Sequence, residues 1–236
     1  MDEKPIYILN IESSSEVCSV NITKNNSIVA IREQLSDSVH AEKLSVFIQE
    51  LFQELAISQK DLSAIAVSAG PGSYTGLRIG VSIAKGLCFP FFTPIISINS
   101  LLILKEMVLA GSPQFIKNTL LCPLIDARRM EVFCGLFNQE GDFIESPTNK
   151  ILDNKSFFDI LKTRKIAFFG SGAEKASQVI TSENALFLKE YKTSSRGMVK
   201  LSFKMFIEKR FSDLSYFEPE YLKEAYTTTS SIKNNN

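Results

Sequence analysis

Short apolar runs and amphipathic stretches alternate along almost the whole chain, and that alternation leaves few folds open to it. Residues 6–11 (Ile-Tyr-Ile-Leu-Asn-Ile) read as a strand buried on both faces. After the turn Glu12-Ser13-Ser14-Ser15, residues 16–23 alternate as a second strand, and Asn25-Asn26 turns into a third over Ser27 to Glu33. Asp37 or Ser38 caps a helix from Val39 to Ala56, and Ser58-x-x-Asp61 resembles a capping box. Leu62 to Ser68 is a β-rich run that enters a helix from Thr75 to Phe89 through Ala69-Gly70-Pro71-Gly72-Ser73-Tyr74. A strand over Ile95 to Ile98 and a helix from Asn99 or Ser100 through Leu109 complete a first half that ends at Gly111-Ser112-Pro113.

The second half opens in the same way. Leu124-Ile125-Asp126 parallels Asn10-Ile11-Glu12, and Glu131-Val132 parallels Glu16-Val17: an apolar strand ends in an acid and a Glu-Val strand returns shortly after. Strands over Leu120 to Ile125 and Met130 to Phe137 follow, with Phe143 to Ile144 as a third short one. Lys155 to Lys162 reads as a helix, Lys165 to Phe169 as a strand, Gly170-Ser171-Gly172 as a turn into a helix, and Arg196 to Arg210 as a last helix. The pattern is α/β with a mixed sheet in each half. The halves divide as a lobe over 1–110, a lobe over 111–226 and a polar, disordered tail over 227–236.

Composition removes several function classes. With 236 residues, 44% apolar and 22% charged, the chain is ordinary globular protein. Lys plus Arg and Asp plus Glu are both 26, so nothing marks it as a nucleic-acid or membrane binder acting alone. The single histidine, His40, excludes any multi-histidine zinc site within the chain; at a helix start it reads as a surface or capping residue before a catalyst. Cys18, Cys88, Cys122 and Cys134 form no C-x-x-C pair, sit in apolar runs and read as reduced core thiols. The charged start Met1-Asp2-Glu3-Lys4-Pro5 is no secretory leader, and no run approaches the roughly 18 apolar residues of a membrane helix, so a cytoplasmic protein is expected.

Three local features carry candidate function. The segment Gly70 to Gly76 is either a sharp strand-to-helix corner or an anion site at Gly72 and Ser73, where a helix N-terminus offers free N–H groups; it is no Walker A loop, having no Lys at the needed offset. Arg78 opposes the macrodipole of that helix, so either a carboxylate, a phosphate or a partner chain stands beside it or it is a solvated arginine. Gly76, Gly80 and Ala84 share one helix face, with Ile79, Ile83 and Leu87 flanking it; two glycines there imply close approach of a backbone, either the chain's own sheet or another chain. The preceding helix tips that choice, because Leu44, Phe47, Ile48, Leu51, Phe52 and Leu55 sweep about 140° of its surface where one packed face needs about 100°. A helix–helix contact with another chain is favoured over an ordinary core helix with some exposed apolar residues, and on that reading Gly80→Arg abolishes pairing and leaves the fold intact. Glu12 and Asp126, at strand ends, read first as turn chemistry and second as magnesium or phosphate positions. The basic stretch from Lys189 to Arg210 reads as a solvated helix face ahead of an RNA contact.

These residues resemble the bacterial TsaB proteins. Ile8-Leu9-Asn10-Ile11-Glu12-Ser13-Ser14 is similar to that family's I-L-x-I-D-T-S opening, and His40-Ala41-Glu42-Lys43-Leu44 to its H-[SA]-E-x-L. Gly70-Pro71-Gly72-Ser73-Tyr74-Thr75-Gly76-Leu77-Arg78-Ile79-Gly80 is similar to G-P-G-S-[FY]-T-G-L-R-x-G, the most specific of the motifs. Asp126-Ala127-Arg128 with Glu131-Val132 matches D-A-R…E-V, and Pro219-Glu220-Tyr221-Leu222 matches a terminal P-x-Y-L. The match is dense over residues 6–105 and sparse beyond. It implies a two-lobed actin/hexokinase-like fold and a non-catalytic subunit in the synthesis of threonylcarbamoyladenosine at position 37 of tRNAs that decode ANN codons.

The resemblance further implies pairing through the N-terminal lobe with a catalytic paralogue, TsaD, together with the ATPase TsaE. It implies a homodimer when the chain is alone, tRNA contact only through the complex, and ATP and magnesium used by the complex rather than bound here. The pairing helices would be the two already singled out, with Leu44, Phe47, Ile48, Leu51, Gly76, Ile79, Gly80, Ile83, Ala84 and Leu87 at the contact. A silent nucleotide site fits the residues: neither Glu12-Ser13-Ser14-Ser15 nor Asp126-Ala127-Arg128-Arg129 contains the glycine a phosphate cradle needs, and Glu12 replaces the family's aspartate. Only the turn with Gly170 and Gly172 remains as an adenosine contact, and a second class of reading, a stand-alone ATP-dependent kinase of this fold, requires nucleotide binding by the isolated chain.

Overall fold

A computed structural model describes residues 4–35, 40–111, 118–188 and 190–222. The expected caps Asp37 and Ser38, the His40 side chain, Ser112-Pro113, Lys189 and the tail over 227–236 lie outside what is described. The first half runs β1 (Tyr7–Glu12), β2 (Val17–Lys24), β3 (Ser27–Leu35), α1 (His40–Leu55), β4 (Ala64–Gly70), α2 (Tyr74–Cys88), β5 (Ile95–Asn99) and α3 (Ser100–Gly111). The second half repeats it: β6 (Thr119–Asp126), β7 (Glu131–Phe137), β8 (Phe143–Ile151), α4 (Phe158–Leu161), β9 (Lys165–Phe169), α5 (Ala173–Val179), β10 (Ala185–Leu188) and α6 (Val199–Ile207). The sheets have orders β3-β2-β1-β4-β5 and β8-β7-β6-β9-β10, so each is an antiparallel meander extended by two parallel strands. The duplicated hairpin seen in the sequence is thus the visible end of a duplicated topology, and the two-lobed α/β class with a mixed sheet in each lobe is the one expected.

Alternating side chains load both faces of each first strand. Leu9 and Ile11 face α1 and α2 in one core with Leu44, Ile48, Leu51, Val81 and Ala84, while Ile8 faces the other way with Ala64, Ala66, Ile98, Ile103 and Met198. In the second sheet Leu120, Cys122 and Leu124 face α4 and α5, and Leu121 and Ile125 face α3. Helix α3 is apolar nearly all round because it lies between the sheets: Leu101, Leu104 and Val108 pack on the second, and Ile103 on the first. The Asn99 side chain caps it, accepting from the Leu101 N–H at 3.0 Å. Helix α6, at the end of the second half, packs with Leu201, Phe203, Met205 and Phe206 on the first sheet. Each half therefore lends its last helix to the other half's sheet.

The differences from the sequence reading have local causes. Strand β8 is nine residues, not two, because an edge strand tolerates Pro147 and the polar run around it. Strand β10 has only four residues and gave no periodic signal. The helix expected over Lys155 to Lys162 contracts to Phe158–Leu161, since Asp153 Oδ1 accepts from Lys155 N–H and Ser156 O–H and holds a turn there. The helix expected over Arg196 to Arg210 begins as a 3₁₀ turn at Ser195–Met198 and ends at Ile207. The capping box is present, with Ser58 N–H and O–H both donating to Asp61 Oδ2 at 2.8 Å. All four cysteines are free and buried.

Candidate functional site

The turn after β1 points into the junction of the lobes, where an enzyme of this fold would need a phosphate cradle. Two of its N–H groups are taken within the chain. Ser13 N–H donates to Ser68 Oγ at 3.2 Å and Ser14 N–H to Glu12 Oε1 at 2.7 Å, while Ser14 O–H donates to the same Glu12 oxygen at 2.5 Å. Glu12 is fully buried, and burial pushes its carboxyl up to about 7 against the pull of hydrogen bonds from Ser14, Thr193 and Ser68. Across the sheet Glu12 stands opposite Ser19, and Ser19 opposite Glu33. The loop Thr193-Ser194-Ser195 sits on this row: Thr193 O–H donates to Ser15 Oγ at 2.7 Å, Ser195 and Ser19 hydroxyls meet at 2.7 Å, and Ser194 O–H donates to Glu33. These three loop residues are buried, so the chain's own hydroxyls fill the mouth of the first turn.

The second turn is closed as well. Asp126 Oδ1 accepts from Arg128 N–H at 2.6 Å and pairs with Lys175 at 2.9 Å; Lys175 also donates to the carbonyls of Arg129 and Glu131. Asp126 N–H is taken by Ser171 Oγ and Ala127 N–H by Glu131 O. Gly170, at φ +102°, and Gly172 are glycines of close packing: a Cβ at Gly170 would lie 2.5 Å from the Leu124 carbonyl oxygen, and one at Gly172 would lie 2.7 Å from Val132 Cγ1. The Gly172 N–H donates to Leu124 O. The N–H groups of Ser13, Ser14, Asp126, Ala127 and Gly172 are thus taken within the chain and Lys175 neutralises Asp126, so these donors are not open to a phosphate. Glu12 Oε2 and Ser13 Oγ, by contrast, are buried without a hydrogen-bond partner. Among the described residues no group of three or more His, Cys, Asp and Glu side chains could hold a metal ion.

The conspicuous glycine segment serves packing. Gly72 carries the chain over Ser14, where a Cβ would fall 2.3 Å from the backbone oxygen, and Ser73 caps α2, accepting from Gly76 N–H at 3.2 Å. A Cβ at Gly76 would lie 2.1 Å from the Ser13 carbonyl oxygen, and one at Gly80 2.2 Å from Ser13 Oγ. This corrects the interface assignment: the close approach is to the chain's own first turn, and Gly80→Arg would break the fold before it broke any pairing. Leu44, Ile48, Leu51 and Ala84 are likewise interior. Among the described residues Arg78 meets aromatic rings in place of a carboxylate. Its guanidinium lies 4.0 Å from the Tyr74 ring centre, and Nε donates to the Tyr221 hydroxyl at 3.1 Å. Tyr221 belongs to a C-terminal strap that returns to the first lobe through Ser212 N–H to Ile95 O and Glu220 N–H to Ala69 O.

What the two helices leave outward is narrower than expected. Phe47, Ile79, Ile83 and Leu87 are half-buried, and Val46, Ser82 and Gly86 are exposed. A Cβ at Gly86 would meet nothing within 4 Å. The sequence therefore holds two small-residue rows on α2. Gly76, Gly80 and Ala84 face in; Ser82 and Gly86, one turn apart beside Ile79 and Ile83, face out, and the exposed pair is the one sequence reasoning passed over. The Ser82–Gly86 spacing was its only signal.

Residues 30–224 match the family described as TsaD: tRNA N6-adenosine threonylcarbamoyltransferase. The chain is 28% identical to the tRNA threonylcarbamoyladenosine biosynthesis protein TsaB of Bacillus subtilis over 92% of this chain and 94% of that one. It is 26% identical to the Escherichia coli protein of the same name, over the same shares. A shorter match, 29% over 42% of this chain and 33% of the other, is to the tRNA N6-adenosine threonylcarbamoyltransferase of Bacillus subtilis. Among solved structures, YeaZ from Pseudomonas aeruginosa superposes with TM-score 0.78 at 19% identity, covering 92% of this chain and all of that one.

Proposed function

Since the chain belongs to the TsaD family, and within it to the TsaB/YeaZ proteins, we propose that it is the non-catalytic subunit that supports a TsaD-type catalytic paralogue in making threonylcarbamoyladenosine in tRNA. Participation in that synthesis follows from the family. The observation that carries the non-catalytic reading is the filled junction between the lobes: Thr193-Ser194-Ser195 cover the first turn, and Lys175 neutralises the acid of the second. Such turns act by staying closed. They hold the lobes in one relation, so the outer face of α1 and α2 is presented rigidly.

That face fits a paralogue. A chain of the same family brings a comparable lobe, so helices can pack against like helices, and the exposed Ser82 and Gly86 permit close approach while Phe47, Ile79, Ile83 and Leu87 supply apolar area. In this reading the first lobe, residues 1–110, carries the docking helices, the chain pairs with itself when alone, the ATPase TsaE joins the pair, and ATP and magnesium belong to the complex. The site of work is the cytoplasm, where tRNA is modified; among the described residues no helix is long and apolar enough to cross a membrane.

Light scattering behind a sizing column tests it, with the protein alone and mixed with the TsaD-type paralogue of the same source. A species of summed mass is expected, and Gly86→Arg, placed in open space, is expected to abolish it without lowering the melting temperature. Absence of any mixed species at tens of micromolar, together with Mg-ATP binding by the lone chain in titration calorimetry, would reverse the reading in favour of a kinase of this fold.

A further inference from the structure

In a chain with equal totals of 26 cations and 26 acids, residues 192–210 hold six cations and one acid. Lys192, Arg196, Lys200, Lys204, Lys209 and Arg210 are all exposed. Lys200 and Lys204 stand one turn apart on α6, about 6 Å along its axis, and Arg196 precedes them in the 3₁₀ turn, so the three follow one another along the stretch. The opposite side of the stretch, with Met198, Leu201, Met205 and Phe206, is packed on the first sheet. Little opposes these cations: Glu208 is shared between Lys204 at 3.9 Å and Arg210 at 3.5 Å, Lys192 pairs with Glu16 at 3.2 Å, and Arg196 and Lys200 make no ion pair among the described residues. Six exposed like charges on one short segment repel one another, and a polyanion relieves that repulsion.

We infer that this stripe is a phosphate-backbone contact for the tRNA handled by the complex, an inference that rests on the reading given under Proposed function. Three geometric points favour RNA over other anionic surfaces. The cations recur along one elongated segment from Lys192 to Arg210, as charges do along a nucleic-acid strand. The apolar side of α6 is already buried in the first sheet, so the helix has no face to insert into a lipid surface. And α6 lies on the opposite face of that sheet from α1 and α2, so a protein docked on those helices leaves the stripe open. Contacts of this kind position the nucleic acid and carry no sequence information; the chain would contribute grip, and its partner the chemistry.

The test is binding of a labelled transcript of an ANN-decoding tRNA to the preformed complex of this chain with its TsaD-type paralogue, by fluorescence anisotropy across roughly 50 to 200 mM salt. For Arg196→Ala/Lys200→Ala/Lys204→Ala the expected result is affinity lowered about tenfold or more at the low-salt end. The slope of log K against log salt should be shallower by about 2 to 3, and the complex should keep its elution volume. Arg196→Lys/Lys200→Arg, which keeps the charge, is expected to bind as the wild type does. Unchanged affinity and slope in an intact complex would overturn the inference. So would loss of the complex itself, which would assign the stripe to a protein contact. Failure of the wild-type chain to join the paralogue at all is a separate outcome and falls on the docking proposal.

Discussion

Two glycines of one helix give opposite predictions for the same substitution. Alanine for glycine in a helix gains up to about 1 kcal/mol from backbone propensity. At Gly86, where the new methyl meets nothing within 4 Å, that gain stands alone. At Gly76 the methyl would sit 2.1 Å from the carbonyl oxygen of Ser13, more than an ångström inside the 3.4 Å at which ordinary contact begins. The obstacle is backbone in a fully buried turn, not the end of a flexible side chain. Overpacking of this kind costs about 1–3 kcal/mol, and the upper end applies when a hydrogen-bonded turn has to move. The net for Gly76→Ala is a loss of about 2 kcal/mol. For a chain of this length each kcal/mol is worth roughly 2–4 °C in Tm. Gly76→Ala is thus expected to melt about 4–8 °C below the wild type, and Gly86→Ala about 2–4 °C above it, by calorimetry on the isolated protein. A rise in Tm for Gly76→Ala would refute the claim that the glycine row exists to seat α2 on the first turn, and would return those positions to a docking role.

Other consequences are as direct. Glu12 has its carboxyl raised from 4.5 to about 7 by burial, so the folded state holds a proton that the unfolded chain releases; stability from this group is full below about pH 4.5 and is lost as pH rises through about 7, by up to about 3 kcal/mol. Denaturant melts at pH 5 and pH 8 should show that fall, and Glu12→Gln, which keeps an acceptor for Ser14, should flatten it. Tyr221→Ala removes the ring 4.9 Å from Tyr74, an aromatic contact worth about 0.5–1.5 kcal/mol, and the acceptor for the exposed Arg78. Faster cleavage of the strap beyond Phe211 under limited proteolysis is expected; equal protection would show that the backbone bonds of Ser212 and Glu220 and the packing of Leu214 and Phe217 hold it without Tyr221.

Topology was legible in this sequence because it is written locally. A strand ending in an acid, followed by a returning Glu-Val strand, appears twice within single hairpins, at Glu12 and Asp126, and in the first half the rest of the sheet follows from helices long enough to show their period, whereas in the second β10 gave no such signal. Direction was not legible. The row Gly76, Gly80 and Ala84 states that something comes close to α2, but periodicity names a face and not its neighbour, and that neighbour is a turn more than sixty residues upstream. The same holds for Arg78, whose partner Tyr221 is 143 positions away, and for Thr193-Ser194-Ser195, which carry no signal of the turn they cover. Helix α4 and strand β8 failed for a different reason: the Asp153 turn and the edge position of β8 override intrinsic propensity.

The duplication itself accounts for where function can reside. Each half contributes three meander strands, two outer helices and a last helix, yet the outer helices are 16 and 15 residues in the first half and 4 and 7 in the second. Only the first lobe keeps helices long enough to offer a continuous face to a partner. The last helices, α3 and α6, are exchanged between the sheets, which binds the lobes across their junction. An enzyme of two lobes needs that junction to open for substrate and close for chemistry. Here it is occupied by the chain's own Thr193, Ser194 and Ser195, beside a buried Glu12 that accepts from the Ser14 hydroxyl. On the proposed non-catalytic reading, a closed junction serves to fix the geometry between two outer surfaces, the apolar face of α1 and α2 on one side of the first sheet and the cationic stripe of α6 on the other. A subunit built this way works through what it holds apart at a set distance, and both surfaces can be tested while the core stays untouched.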